Sequence, residues 1–468
     1  MRYARPMTPS DVLIADSPHP VPVHLVAAAE WDAWLSARPE SFRLFAAAMD
    51  FRAQAGHVLL APATDGGIER AVLGLGARPS PMLAGALGKD LPTGDYRIAS
   101  APTGLDSTLV ATAFALGAYS FDRYKPRTRT PPRLAVGDGV DLAEARRVAT
   151  AVWLARDLVN TPANAMGPAA LQAAAEELAA RYGARVEAIV GDDLLGQNYP
   201  MIHAVGRAAA EPARFVHLVW GDAAAPKLTL VGKGVTFDSG GLNIKPDSGM
   251  RIMKKDMGGA AHALALGQLV MDAGLPVQLH VLLPIVENAI SGAAMRPGDV
   301  VATRKGLFVE IDNTDAEGRL ILADALARAS ELEPDLILDF ATLTGAARVA
   351  LGPDLPPLFT DDEALADDLA KAAADTFDPL WRMPLWSAYD SDMDSTIADL
   401  KNTGDASFAG AIFGALFLKR FVTAKSWAHF DVYAWAPRAK PARPVGGEAQ
   451  VVRACWRMLR QRYGARAQ

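Results

Sequence analysis

Apolar positions along this chain come in two textures: short runs rich in β-branched residues, and longer Ala- and Leu-rich stretches with helical spacing. In the second half, the runs at 185–190, 215–220, 228–231, 277–283, 336–340 and 429–432 predict buried strands. Helical spacing between and around them predicts helices over 142–159, 168–181, 259–273, 319–332, 364–374 and 409–422. Strands separated by helices predict an α/β fold with a mixed, mainly parallel sheet covered by helices. In such sheets ligands gather at the carboxyl ends of the strands, so polar residues there carry the functional question.

The first half reads as a smaller α/β domain. Two apolar runs beginning at His57 and Ala71, joined through Asp65-Gly66-Gly67, predict a hairpin, and an Ala/Leu-rich helix follows over 107–120. The stretch Lys125-Pro-Arg-Thr-Arg-Thr-Pro-Pro-Arg133 resists helix and sheet. The expected division is therefore an N-terminal domain over 1–124, a linker over 125–140 and a larger C-terminal domain over 141–468.

Composition narrows the function classes. The 468 residues are 50% hydrophobic and 21% charged, with a mean hydropathy of +0.10, which excludes wholesale disorder. A formal charge of −6 supplies no global basic field, so nucleic acid is not an expected partner. One cysteine, Cys455, excludes an internal disulfide and any cysteine-rich zinc module. The start Met1-Arg2-Tyr3-Ala4-Arg5-Pro6 has no apolar leader pattern, and no run of about 18 apolar residues predicts a membrane span. The cytoplasm is the expected compartment, with no membrane partner. The eight histidines are dispersed with no His-Glu-x-x-His helix, so carboxylates would have to dominate any metal site.

Some motifs fail on inspection. Gly232-Lys233 is followed by Gly234 where a phosphate loop needs Ser or Thr, and Gly74-Leu-Gly76 ends in Pro79 where a dinucleotide turn wants Gly or Ala. What survives is a set of charged, glycine-bracketed clusters at presumed strand ends. Lys233 and Asp238 follow the strand at 228–231; Lys245 comes next; Asp256 precedes an apolar helix; Asp315 and Glu317 precede another. Extended backbone would put Asp315 and Glu317 on one side. Four converging carboxylates repel unless divalent cations resolve the conflict. For the Asp315–Glu317 pair alone, helix capping and the helix dipole are the stronger explanation, and the three clusters together shift the balance.

These clusters resemble a known family. Lys233-Gly-Val-Thr-Phe-Asp-Ser-Gly-Gly-Leu-Asn-Ile-Lys245-Pro, Met253-Lys-Lys-Asp-Met-Gly-Gly-Ala-Ala261 and Asn313-Thr-Asp-Ala-Glu-Gly-Arg-Leu320 are similar to the signature of the leucyl aminopeptidase family, the two-metal M17 peptidases. The octapeptide Asn313–Leu320 matches without a change, and the likeness extends to Arg156-Asp-Leu-Val-Asn-Thr-Pro162 and Asp339-Phe-Ala-Thr-Leu-Thr-Gly-Ala346. The resemblance implies a metal-dependent aminopeptidase acting on peptides with a free N-terminus, assembled as a homohexamer. It implies two divalent ions per subunit, Mn²⁺ or Zn²⁺. Asp238 and Glu317 would bridge both ions, Asp315 would complete one, and Lys233 and Asp256 the other. Lys245 and Arg319 would be catalytic without touching metal, Arg319 by holding a bicarbonate. Met253, Thr342 and Gly345 would line the pocket for the substrate's first side chain, with Asn313 and Leu343 as further substrate contacts.

The chemistry suits these assignments. Hard carboxylates suit Mn²⁺ and Zn²⁺, and two ions about 3.5–4 Å apart can share a hydroxide. Lys233 would have to be a neutral amine to coordinate, which nearby dications favour. Lys245 would stay cationic at the developing oxyanion. The chain departs from the family pattern at His429-Phe-Asp431-Val-Tyr433-Ala-Trp435, where Tyr433 takes a position small in many members. Tyr433 would reshape the first side-chain pocket, or pack with Trp435 at a subunit contact; leucine preference does not carry over safely. An alternative function on the same scaffold is a hexameric DNA-binding accessory protein, which the near-balanced charge of the first part does not favour. A two-metal phosphoesterase is disfavoured by the intact octapeptide.

Overall fold

A computed structural model describes residues 7–404 and 407–464. The opening Met1–Pro6 lies outside the described residues. The chain divides into two compact units, Met1–Trp153 with Ala436–Val445, and Leu154–Trp435 with Gly446–Gln468. Both are α/β, the class the patterning predicts. The 125–140 segment contains a short strand, Arg133–Ala135.

The first unit holds a six-stranded sheet in the order Leu13–Ile14, Arg133–Ala135, Asp95–Ser100, Val21–Ala27, Ile68–Gly76 and Val58–Pro62. Its pairings are parallel except the last, the antiparallel hairpin predicted across Asp65-Gly66-Gly67. The hairpin turns because Gly66 takes φ +87° and Gly67 N donates to Asp65 Oδ1 at 2.9 Å. The predicted helix forms over Ser107–Ala118, started by Asp106, whose side chain accepts from Leu109 N. Trp31, Phe42, Phe51 and Val72 belong to one buried cluster of this unit.

The second unit is built on a nine-stranded sheet. Its order is Trp381–Arg382, Pro357–Phe359, Trp427–Asp431, Leu336–Ala341, Lys227–Gly232, Gln278–Asn288, Arg214–Trp220 and Arg185–Val190, with Gly234–Asp238 joined to Gln278–Asn288. The central pairings are parallel, while the strands toward both edges include antiparallel pairs. A mixed, mainly parallel sheet was expected. Its central strands are buried almost throughout, which is why they read as continuous apolar runs. Among the described residues, no helix is long and apolar enough to cross a membrane.

Two features differ from the sequence reading. The stretch after Gly232, read as a Gly-rich bend, includes a strand, Gly234–Asp238. It pairs in parallel with Gln278–Asn288, because bare Gly234 lets the backbones approach: a Cβ there would sit 2.7 Å from Pro284 O. A small sheet of Val300–Ala302, Phe308–Glu310 and Leu400–Lys401 was not anticipated, since strands of two or three residues carry too little pattern to register.

Candidate active site

The sheet reverses its winding at Lys227–Gly232. The chain leaves this strand for Gln278–Asn288 on one side and then reaches Leu336–Ala341 on the other. Such a switch point opens a crevice at the strands' carboxyl ends. Lys233 is the first residue beyond the strand, and its backbone is pinned from both sides. Its N–H donates to Phe340 O at 3.0 Å, and its carbonyl accepts from Ala260 N at 2.8 Å.

From that anchor the buried Lys233 side chain runs across the first turn of helix Glu317–Glu331. Gly318 is required there, since a Cβ would lie 2.5 Å from Lys233 Nζ. The ammonium sits 2.8 Å from Asp256 Oδ2 and 2.9 Å from Glu317 Oε1, and donates to Thr342 O at 3.0 Å. Lys245 Nζ lies 2.7 Å from Asp238 Oδ2 and also pairs with Asp315 Oδ1. Asp238, Asp315 and Glu317 each offer a carboxylate oxygen within 4.8 Å of the others. Asp256 stands outside that trio and is joined to it through Lys233. The structure therefore brings all five expected metal-site residues and Lys245 into one connected group.

The helix start at Glu317 also addresses the capping alternative. Ala316 occupies the N-cap position, without a side-chain cap bond, and Asp315 turns to the cluster instead. Gly240 makes this possible by taking φ +89° beside Asp315; a Cβ there would meet Asp315 Oδ1 at 2.9 Å.

Electrostatically the group is out of balance. Four carboxylates face Lys233 and Lys245, a formal excess of two negative charges. Burial and the charge of Asp238 push Glu317 well above the usual carboxylate range. The same two causes raise Asp315. Burial would lower Lys233, but Asp256, Glu317 and Asp238 outweigh it and hold the ammonium above its ordinary value. Lys245 is likewise held high, with Asp238 and Glu317 overcoming burial. For Asp256 burial works upward, and Lys233 and Lys255 outweigh it, so its carboxyl lies low.

An excess of buried negative charge is costly unless cations answer it. Glu317 Oε2 is fully buried and accepts no hydrogen bond, leaving one carboxylate oxygen of the group without a donor. Hard oxygen donors, one of them orphaned, fit divalent cations.

The supporting residues are in part new. Asn288 Nδ2 donates to Asp238 Oδ1 at 2.9 Å and to Thr314 O at 3.1 Å, orienting one carboxylate and the loop that carries the other two. Thr342 Oγ1 donates to Asp256 Oδ1 at 2.7 Å. Asn288 escaped the sequence reading because it stands outside the motifs; its signal was an amide closing an eleven-residue apolar strand. Lys255 is a second omission. It is buried at the centre of the Met253–Met257 turn, and burial pushes its ammonium down to about 8.

Arg319 is buried, not a helix-surface arginine. Its Nη1 donates to Asn402 O at 2.7 Å, while Nε is buried without an acceptor. Burial lowers it to about 10. An unanswered guanidinium N–H fits an anion such as bicarbonate.

Of the expected substrate positions, Thr342 meets Asp256, Met253 is buried one residue from the Lys254-Lys255 pair, and Gly345 is exposed at the start of helix Gly345–Leu351. Leu343 N is held by Asp431 Oδ1 at 2.9 Å. Asn313 braces the acidic loop: its Oδ1 accepts from Asp315 N at 2.8 Å, and its carbonyl accepts from Asn402 Nδ2 at 2.7 Å. Tyr433 is half-buried, with its backbone N bonded to Gln450 Oε1 at 2.8 Å, and Trp435 lies 5.7 Å from Lys254 Nζ.

Comparison with known proteins agrees along both units. Residues 153–456 match the catalytic domain of the cytosol aminopeptidase family, and residues 21–137 match the M17 aminopeptidase N-terminal domain. A probable cytosol aminopeptidase of Geobacter sp. (strain M21) is 41% identical over 370 residues, 75% of each chain. The crystal structure of the cytosol aminopeptidase from Coxiella burnetii superposes with a TM-score of 0.91 at 42% identity, covering 97% of this chain and 100% of that one. The bottromycin maturation enzyme BotP in complex with Mn has a TM-score of 0.85 at 34% identity, covering 95% of this chain and 99% of the other.

Proposed function

The chain belongs to the M17 cytosol aminopeptidase family of metal-dependent peptidases, and from that premise we propose the site, ions and mechanism by which this aminopeptidase works. Two divalent ions, Mn²⁺ or Zn²⁺, would be held by Asp238, Asp256, Asp315 and Glu317 together with Lys233, whose amine would have to give up its proton to bind metal. The observation that carries this reading is the buried excess of carboxylate around Glu317, one of whose oxygens has no donor. When bound, such ions lower the pKa of a water and polarise the scissile carbonyl.

The chain's own residues supply the rest. Glu317 and Asp238 keep their geometry because Gly318 admits the Lys233 side chain and Asn288 grips Asp238. Lys245, pinned between Asp238 and Asp315, stays protonated and presents its N–H to the oxygen that gains charge as the tetrahedral intermediate forms. Arg319, with its Nε buried and lacking an acceptor, would hold a bicarbonate, which would supply general-base chemistry. Asn402 fixes Arg319 and the backbone of Asp312 and Asn313 together, so base and carboxylates share one scaffold. The substrate is a peptide with a free N-terminus, its first side chain lying against Met253, Thr342 and Gly345, with Asn313 and Leu343 beside them. The working form is a homohexamer in the cytoplasm.

A panel of aminoacyl amides tests this, assayed with Mn²⁺ or Zn²⁺ in parallel with N-acetylated counterparts. Release of the first residue from the free amides alone is expected. Equal cleavage of the acetylated substrates would overturn the exopeptidase reading.

A further inference from the structure

We infer that Lys255, Arg348 and Tyr433 form a cationic wall of the first side-chain pocket and select N-terminal glutamate and aspartate over their neutral isosteres. The inference rests on the placement of that pocket against Met253, Thr342 and Gly345 proposed above.

Tyr433 gathers two cations. Lys255 Nζ lies 5.3 Å and Arg348 Cζ 4.6 Å from the centroid of its ring, within the range where the ring's quadrupole attracts positive charge. Both residues belong to segments that build the pocket. Lys255 is two residues from Met253 on the turn Met253–Met257, and Arg348 is three residues from Gly345 on helix Gly345–Leu351. The guanidinium covers Gly345 directly: a Cβ there would lie 3.6 Å from Arg348 Nη2.

Neither cation has a carboxylate of its own. Arg348 donates to Thr344 O at 3.2 Å and forms no ion pair among the described residues. Lys255 is 1% exposed, and its nearest carboxylate oxygen is Asp256 Oδ1 at 4.0 Å, beyond a hydrogen bond. That oxygen already accepts from Thr342 Oγ1 at 2.7 Å, and Asp256 Oδ2 is matched to Lys233 at 2.8 Å. Asp431, the other acid close to Lys255, is engaged by Leu343 N at 2.9 Å, Thr344 N at 3.1 Å and Thr344 Oγ1 at 2.6 Å. Two positive groups therefore stand at the ring with no carboxylate in hydrogen-bond contact with either.

A buried cation lacking a partner is costly, and a ligand carboxylate relieves that cost. The planar fork of Arg348 offers paired N–H donors, the geometry that carboxylates accept best. A cationic first residue would face like charge from both sides. The carboxylate could also be a dipeptide's own C-terminus, a source the test separates.

The experiment uses the full-length, Mn²⁺-loaded enzyme and measures kcat/KM on the Glu, Gln, Asp, Asn, Leu and Lys p-nitroanilides, with Leu-Gly beside Leu-Gly amide. Glu is expected to exceed Gln, and Asp to exceed Asn, by about tenfold, with Lys the poorest. Arg348→Met should erase most of the Glu-to-Gln ratio, chiefly through KM, and Arg348→Lys should restore part of it. Lys255→Met should lower the same ratio. A wild-type ratio of one or below overturns the inference, as does a ratio unchanged in both methionine variants. Preference for Leu-Gly over its amide, with Glu no better than Gln, assigns the wall to the C-terminal carboxylate and overturns it too. No turnover of any anilide would instead sink the aminopeptidase site on which the inference stands.

Discussion

Charge is handled differently in the two units. In the first, pairs reach the surface: Arg133 grips Asp95 through two bonds at 2.6 and 2.7 Å, and exposed Arg52 sits 3.3 Å from Asp50. In the second, charges go inside. Some of these are still matched, as Arg156 with Glu448 at 2.9 Å and Arg453 with Asp378 at 3.3 Å. Around Glu317 they are not, and the carboxylates outnumber the ammoniums that touch them. Matched pairs, buried or exposed, serve the fold. The unmatched buried carboxylates around Glu317 are where a bound cation would complete the balance.

Four substitutions test that contrast, in falling order of effect. Glu317→Gln removes the carboxylate with the orphaned oxygen. It should reduce kcat/KM to below about 1% of wild type and lower bound metal, read by elemental analysis. Full metal content in that variant would break the assignment. Lys245→Ala removes an ammonium that neutralises carboxylates but coordinates nothing. It should lower kcat on the order of 10²–10³-fold while sparing metal content. An equal loss of metal would show that Lys245 belongs to the ligand set.

Asn288→Ala leaves every ligand in place and frees Asp238 from its clamp. A weakening of metal affinity by about 10–100-fold is expected from a chelator titration. No change would mean that the strand alone orients Asp238. Asp95→Asn, in the first unit, should move stability by no more than about 1 kcal/mol, because Arg133, its partner, is exposed to solvent. The hydrogen bond from Arg133 holds Asp95 below its ordinary value near 3.8. The pair's small contribution is therefore present above that value and is lost as pH falls through the lower, folded one. Urea unfolding at pH 7 and pH 2.5 should show a smaller wild-type advantage at the lower pH. A large, pH-independent loss would mean that Asp95 supports the fold in another way.

Much of this contrast was legible in the chain. The buried strands of the second unit are continuous apolar runs because both faces of the sheet are covered, and such runs do not depend on register. The motif residues Lys233, Asp238, Lys245, Asp256, Asp315 and Glu317 stand out as charges bracketed by glycines, and those glycines prove to be contact points, as Gly318 under Lys233 and Gly240 beside Asp315. Asn288, Lys255 and Arg348 were not legible. Each acts through a partner remote in sequence or across a turn: Asn288 reaches Asp238 fifty residues away, and Arg348 meets Tyr433 from another segment. Nothing in local spacing encodes those meetings. The strand Gly234–Asp238 was hidden for a related reason, since glycines that usually signal a bend here permit close backbone pairing with Gln278–Asn288.

The central claim is that the charge excess around Glu317 exists to hold metal that the reaction needs. The direct measurement is hydrolysis of a leucyl or glutamyl amide by the intact enzyme, followed through exhaustive chelation and then through readdition of Mn²⁺ or Zn²⁺, with bound metal quantified at each stage. Activity should fall in step with metal content and return on readdition. Activity that persists after the metal has been fully removed would contradict the account.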